Sequence, residues 1–280
     1  MEGVFILCRI SLSLPFPKKT MKYTSIKIVF ILFSFLLIAS CKEEDDSEPI
    51  DDFKIENRKS LGLSAQDILS SNTYSKITVE LVYFGLYRPT EITIANLRDF
   101  LEERLNKPEG ITILETSVPE VQGSPFTTQE LLTAEDENRT AYTTEDTIAV
   151  YVFFANGVSS NDTDISVTLG TAYLNTSIVI YEKTLQMLAA SNPSIELSTI
   201  ESTTLQHELG HIVGLVNLLD DDIHTNHEDT GHPKHCIVEE CLMYFESNTR
   251  SKVLGRFSGR VGVPELDPLC IADLQAKGGL

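Results

Sequence analysis

The chain has 280 residues, of which 42 % are hydrophobic and 22 % charged, enough apolar mass for one substantial core. Forty-one acidic residues against 22 basic ones give a formal net charge of -19. That acidity excludes a general nucleic-acid binder, which needs a basic patch to displace phosphate counterions. All six histidines, His207, His211, His224, His227, His232 and His235, fall within 29 consecutive residues, so composition alone points to one site.

At the start of the chain, Lys22 and Lys27 precede an apolar run, residues 28–38. It is too short to span a bilayer and suits the hydrophobic region of a signal peptide. The run ends Ile38-Ala39-Ser40-Cys41, an aliphatic residue, two small ones and a cysteine. This resembles the lipobox of bacterial lipoproteins, and the resemblance implies that Cys41 is lipidated and becomes the mature N-terminus. Residues 1–41 are therefore read as a signal region, for which Met21 is a better start than Met1. The polar, acidic, proline-containing segment 42–72 is expected to be a disordered tether. Acidic runs directly after a lipidated cysteine resemble the export signal of Bacteroidetes surface lipoproteins. The implied location is the outer membrane, facing outward, with a lipid anchor as the membrane contact. Removing residues 1–40 discards Arg9, Lys18, Lys19, Lys22 and Lys27 against Glu2, which leaves a mature chain more acidic still.

Residues 73–280 read as one domain. Residues 77–84 alternate, with β-branched and aromatic side chains, as a strand does. Ile92, Ile94, Leu97, Phe100, Leu101 and Leu105 fall mostly at helical spacing, and the segment from Asn106 to Gly110 stops that helix. A second strand is expected over 111–115 and a helix over 127–140. The near-continuous apolar run 147–154 belongs to a strand buried on both faces. Short strands follow at 166–169 and 178–181, and a turn or two of helix at 185–190. This order predicts a mostly parallel sheet with helices packed on it. Ser198 and Glu201 read as the capping box of a helix carrying Leu205, Leu209, Ile212 and Val213 on one face and ending at Gly214. Roughly the next 50 residues show little periodicity, and so long a loop is usually functional or held by a staple. A closing helix is expected over 266–276. With Cys8 and Cys41 in the signal region, an exported chain is expected to join Cys236 and Cys241 in a disulfide and leave Cys270 over.

The helix beginning near Ser198 carries His207-Glu208-Leu209-Gly210-His211. Histidines at i and i+4 lie on one face about one turn apart, so both imidazoles can reach a single metal ion. Glu208 is displaced around the helix, where its carboxylate can act as general base on a metal-activated water without ligating the metal. Two neutral imidazoles leave a zinc ion electrophilic enough to acidify that water.

The segment from His207 to Gly214 resembles the H-E-x-x-H-x-x-G motif of the metzincin zinc proteases. The third-ligand position of that pattern is Asn217 here, and a neutral carboxamide is a poor zinc ligand. Farther on, His235-Cys236-Ile-Val-Glu-Glu-Cys241-Leu242-Met243 is similar to the H-C-x4-C-x-M segment of archaemetzincins. That match implies His235 as third zinc ligand and Met243 as the methionine turn beneath the metal, with 215–234 looped out as an insertion. His227 is the alternative third ligand. His224 and His232 are read as solvated, or as partners of the acidic run from Asp220 to Asp222, and Tyr244 as a core or supporting residue.

The resemblance implies an α/β (α+β) zincin fold: a twisted, mostly parallel N-terminal sheet, an active-site helix and a loop-rich C-terminal subdomain closed by a helix. It implies one catalytic Zn2+ ion. The family's additional C-x-x-C, which helps hold a second zinc, is represented only by Cys270, so a disulfide is expected in preference to a second, structural ion. The family binds extended substrates along a sheet edge, and residues 171–181 are the region for this by position. The reading that results is a lipid-anchored, zinc-dependent endopeptidase acting on protein or peptide substrates, with 73–280 as its catalytic domain. The alternatives are a catalytically weak, zinc-stabilised binding lipoprotein and a metal-scavenging lipoprotein that uses the 220–235 loop.

Overall fold

Strand-forming runs of Val, Ile, Tyr and Phe recur through the first half of the body, and in the structure, a computed structural model, they join into one five-stranded sheet. Residues 52–245 and 248–280 are described; the signal region, Cys41 and residues 42–51 of the acidic segment lie outside them. The strands are β1 (Lys76–Tyr83), β2 (Gly110–Ser117), β3 (Thr147–Phe154), β4 (Gly170–Leu174) and β5 (Ser177–Ile180). Their spatial order is β2-β1-β3-β5-β4. All neighbours are parallel except β4, which runs antiparallel to β5 and forms one edge. Every residue of β3 except Thr147 is buried, as a central strand covered on both faces requires.

Among the described residues, seven α-helices accompany the sheet: α1 (Ala65–Leu69), α2 (Glu91–Arg104), α3 (Thr128–Asn138), α4 (Glu182–Ser191), α5 (Leu197–Ile212), α6 (Arg250–Phe257) and α7 (Pro268–Ala276). Leu97 and Leu101 of α2 and Leu205 and Leu209 of α5 share the main apolar core with Val79, Val150 and Val152 of the sheet. Leu131 and Ala134 of α3 pack with Tyr151 and Phe153 in a second, smaller cluster. The fold is therefore mixed α/β with a mostly parallel sheet. Among the described residues, no helix is long and apolar enough to cross a membrane.

Four expectations change. The disordered tether does not extend to residue 72. Asp52–Asn57 forms a 3-10 helix, and the buried Asn57 side chain donates to Ala149 O at 2.9 Å and to Thr176 Oγ1 at 3.0 Å. Ala65, Ile68 and Leu69 of α1 are buried as well, so this stretch belongs to the folded body despite its polar composition.

The strand expected over 166–169 forms instead at Gly170–Leu174. Upstream, the Asp162 carboxylate takes the Thr168 N–H and Thr163 Oγ1 takes that of Ser166, which withdraws those donors from a ladder. Helix α6 lies inside the segment read as loop. It has a short apolar face, Val253 and Phe257, with Arg250, Lys252 and Arg256 around it.

Nor do Ser198 and Glu201 form a capping box, because α5 begins at Leu197. The Glu201 carboxylate reaches across to α2, accepting from Thr90 N, Thr90 Oγ1 and Thr93 Oγ1. It thereby caps a neighbouring helix rather than its own. Glu182 of α4 lies against it, fully buried. Burial pushes the Glu182 carboxyl up to about 10, with the Glu201 charge adding to the effect. The protonated Glu182 can then donate to Glu201.

Candidate metal centres

Helix α5 is buried nearly all round, which holds its side chains in fixed directions. His207 and His211 stand one turn apart on it, with ring centroids 4.9 Å from each other. His235 arrives from the loop-rich half and completes a near-equilateral arrangement, its ring 5.3 Å from that of His207 and 5.0 Å from that of His211. One nitrogen from each ring lies within 4.8 Å of the other two. The His207 Nδ1–H donates to Leu242 O at 2.8 Å and the His235 Nδ1–H to Pro233 O at 3.1 Å. Since a carbonyl only accepts, both rings keep an Nε2 lone pair for another partner. Burial holds all three imidazoles below the ordinary histidine range, His207 at about 4, so the rings are neutral at pH 7. Three converging, uncharged imidazoles suit zinc in both donor type and number.

Glu208 is buried beside this triad. Burial raises its carboxyl to about 7, against the opposing effect of the Ala172 N–H, which donates to Oε2 at 2.9 Å. A cavity of about 520 Å3 opens over these residues, walled by edge strand β4, by Leu242 and Tyr244, and by Val253 and Phe257 of α6. Met243 is fully buried beneath α5. A Cβ at Gly210 would lie 2.2 Å from Met243 Sδ, so only glycine lets the methionine fill that place between the two helix histidines. The chain leaves α5 at Gly214, where φ is +75°. It then turns through left-handed Val216 and Asn217. Asn217 is not part of the triad: its Nδ2 faces Glu228 and its carbonyl accepts from Lys234 Nζ at 2.6 Å.

His227 belongs elsewhere. It is buried, its Nε2–H donates to Asp273 Oδ2 at 2.9 Å, and its Nδ1 lies 3.7 Å from Cys236 Sγ and 3.5 Å from Cys270 Sγ. Cys241 Sγ is 3.7 Å from Cys270 Sγ. The expected Cys236–Cys241 disulfide is absent, because all three are free, buried thiols. Disulfide sulfurs would stand about 2.05 Å apart. Hydrogen bonds from Cys236, then from Cys270, hold the Cys241 thiol far below its usual range, and the Asp267 and Met243 N–H groups assist. The two donor thiols are pushed up correspondingly. His227, Cys236, Asp267 and Cys270 each bring a donor atom within 4.8 Å of the others, and Cys241 Sγ lies beside Cys270, so an imidazole, thiols and a carboxylate face each other as donors of the kind that hold zinc.

Sequence reasoning missed this set because its members come from 227, 236, 241 and 270. The unassigned Cys270 and buried histidine were the available signals. His224 and His232 bond to Asp273 and Asp229 rather than to the acidic run, whose Asp221 and Asp222 pair with Lys277 of the C-terminal segment.

The two clusters interleave along the chain. His235 and Cys236 are adjacent, and Met243 follows Cys241 by two residues. The Asp229 N–H donates to His235 O, the Ile237 N–H to His227 O, and the Cys236 N–H to Met243 O, each at 2.8 Å.

No family model matches the chain, and no curated protein does. Among solved structures, it is similar to a crystal structure of archaemetzincin from Methanopyrus kandleri, at 17 % identity, over 72 % of this chain and 96 % of that one, with a TM-score of 0.47.

Proposed function

We propose that this chain is a zinc-dependent endopeptidase acting on protein or peptide substrates. One observation carries the reading: three neutral imidazoles, two from α5 and one from a loop, converge on a cavity with a buried carboxylate beside them. His207, His211 and His235 would hold the ion, with coordination left over for the reaction as in catalytic sites. When bound, zinc supplies Lewis acidity, activating water and polarising a peptide carbonyl.

Glu208 moves the proton. Its Oε1, the oxygen not held by Ala172, accepts a proton from water as the water oxygen adds to the carbonyl carbon. It then delivers that proton to the amide nitrogen as the C–N bond breaks. An extended peptide would lie along edge strand β4, whose outer side borders the cavity.

The proposal includes a second, structural ion held by His227, Cys236, Cys241 and Cys270, in place of the disulfide and of a single metal. It also includes anchoring through a lipid on Cys41 at the outer face of the outer membrane, which the Ile38–Cys41 pattern and the acidic residues after it support. A metal-scavenging role draws little support from the 220–235 loop: His224 bonds to Asp273, His232 to Asp229, and Asp221 and Asp222 to Lys277.

The test compares protein lacking residues 1–41 with its Glu208→Ala variant on a generic protein substrate, with zinc quantified in both. Both should carry two zinc ions, and the variant should lose on the order of 10²- to 10⁴-fold in kcat, as removal of a general base does. Equal zinc without cleavage by either would leave a zinc-stabilised binding protein. More than two tightly bound ions would favour scavenging.

A further inference from the structure

The strand expected at 166–169 begins instead at Gly170, and Gly170 faces the active-site helix. A Cβ built there would meet Thr204 Cγ2 at 2.8 Å, Glu208 Cγ at 2.9 Å and Glu208 Oε1 at 3.1 Å. Thr204 has little room to yield: it is buried, and its Oγ1 donates to Ile200 O at 2.8 Å. Two residues on, the Ala172 N–H points away from the sheet and donates to Glu208 Oε2 at 2.9 Å. Its bond to a side chain replaces the ladder partner that an edge amide lacks.

We infer that Gly170 and the Ala172 amide are positioning residues that aim the Glu208 carboxylate. This rests on the endopeptidase reading. The bare Cα of Gly170 lets the side chain pass against the strand, and the amide then fixes one oxygen so that the other is presented in a single orientation. The edge strand therefore has two tasks, since the same backbone that borders the substrate cavity holds the base. An incoming peptide strand cannot use the Ala172 N–H while Glu208 occupies it, so its ladder falls to the other outward-facing groups, the Ala172 carbonyl and Gly170, while Leu169 and Thr171 face β5.

The experiment is a double-mutant cycle in the full-length protein, pairing Gly170→Ala with Glu208→Ala and reading kcat, KM, zinc content and thermal unfolding. Gly170→Ala should lower kcat by about 10²-fold with KM changed less than about 3-fold, as a misplaced catalytic group does. Zinc content should not change. In the Glu208→Ala background the same substitution should cost less than about 2-fold in kcat, because effects of residues acting as a unit do not add.

The melting temperature should fall on Gly170→Ala in the wild type and less in Glu208→Ala, where the Glu208 Cγ and Oε1 contacts are gone and the Thr204 Cγ2 contact remains. Ala172→Pro removes the N–H and puts a ring methylene where Glu208 Oε2 now sits, and proline is tolerated at an edge position; it should lower kcat in the same direction with zinc retained. Wild-type kcat in Gly170→Ala, equal proportional losses in both backgrounds, or loss of zinc would each overturn the inference. If the wild-type protein cleaves nothing, the endopeptidase reading fails by itself. The coupling of the melting temperatures then decides whether 170 and 208 are linked.

Discussion

Two side-chain clusters draw on the same stretch of chain, residues 227–243, and differ in nearly every physical respect. The imidazole triad is half-buried and borders a cavity of about 520 Å3. The thiol cluster is sealed, with His227, Cys236, Cys241 and Cys270 all buried. The triad offers three neutral donors and leaves room for a fourth partner, whereas the other cluster offers at least four, the Asp267 carboxylate among them. Open three-donor sets suit reactions, and closed four-donor sets suit stability. Adjacent residues can thus be committed to opposite tasks, because what separates the tasks is access to water rather than position in sequence.

The contrast is broken most severely at the closed cluster. Cys270→Ser should destabilise the fold by at least about 3 kcal/mol, since a structural ion's binding energy is folding energy. It should also release metal from the triad, because His235 and Met243 are held by the loop segments that carry Cys236 and Cys241. His211→Ala should do the opposite: it should remove one metal equivalent and cleavage while leaving the melting temperature within a few degrees of wild type. Metal analysis with calorimetry on both variants checks this. Mutual independence of the two sites would remove the basis for the contrast.

A smaller effect is expected at Asp273, which receives both His227 Nε2–H and the His224 backbone N–H. Asp273→Asn should weaken metal binding at the thiol cluster by roughly 10- to 100-fold, the usual cost of losing a carboxylate behind a metal-bound histidine. Chelator competition would measure it, with cleavage at saturating zinc nearly unaffected.

The smallest effect tests α5 away from both clusters. Glu182 is held at about 10 when folded, against about 4.3 for a free glutamate. The unfolded chain therefore binds fewer protons through this window. Stability from this group is fully present below about pH 4.3 and declines as pH rises toward about 10. Glu182→Gln keeps the hydrogen bond to Glu201 without a proton to lose. Its melting temperature should match wild type near pH 4 and exceed it by a few degrees at pH 8, without change in metal content.

The strands β1, β2 and β3, helices α2 and α5 and the pair His207 and His211 were legible because periodicity and a fixed spacing are local signals. What was not legible came from contacts far apart in sequence. Residues 52–72 look like a solvated tether, yet Asn57 is held by Ala149 and Thr176. Gly170 argues against a strand by propensity, and the approach of Glu208 and Thr204 outweighs it. Glu201 matches a cap for its own helix and serves another. The spacing to Cys236, Cys241 and Met243 favoured His235 over His227, but where His227 goes was not legible, because its partners Asp273 and Cys270 lie far along the chain.

Helix α7 adds a matter of timing. It supplies Cys270 and Asp273, the last groups at the thiol cluster to leave a ribosome. Until they dock, the segment bearing His235 and Met243 lacks the thiol cluster's hold beneath α5 and keeps only its own contacts with that helix. A chain emerging N-terminus first would complete its helix and sheet early and its proposed reactive centre last. The molecule would thus stay inert until its last helix is in place.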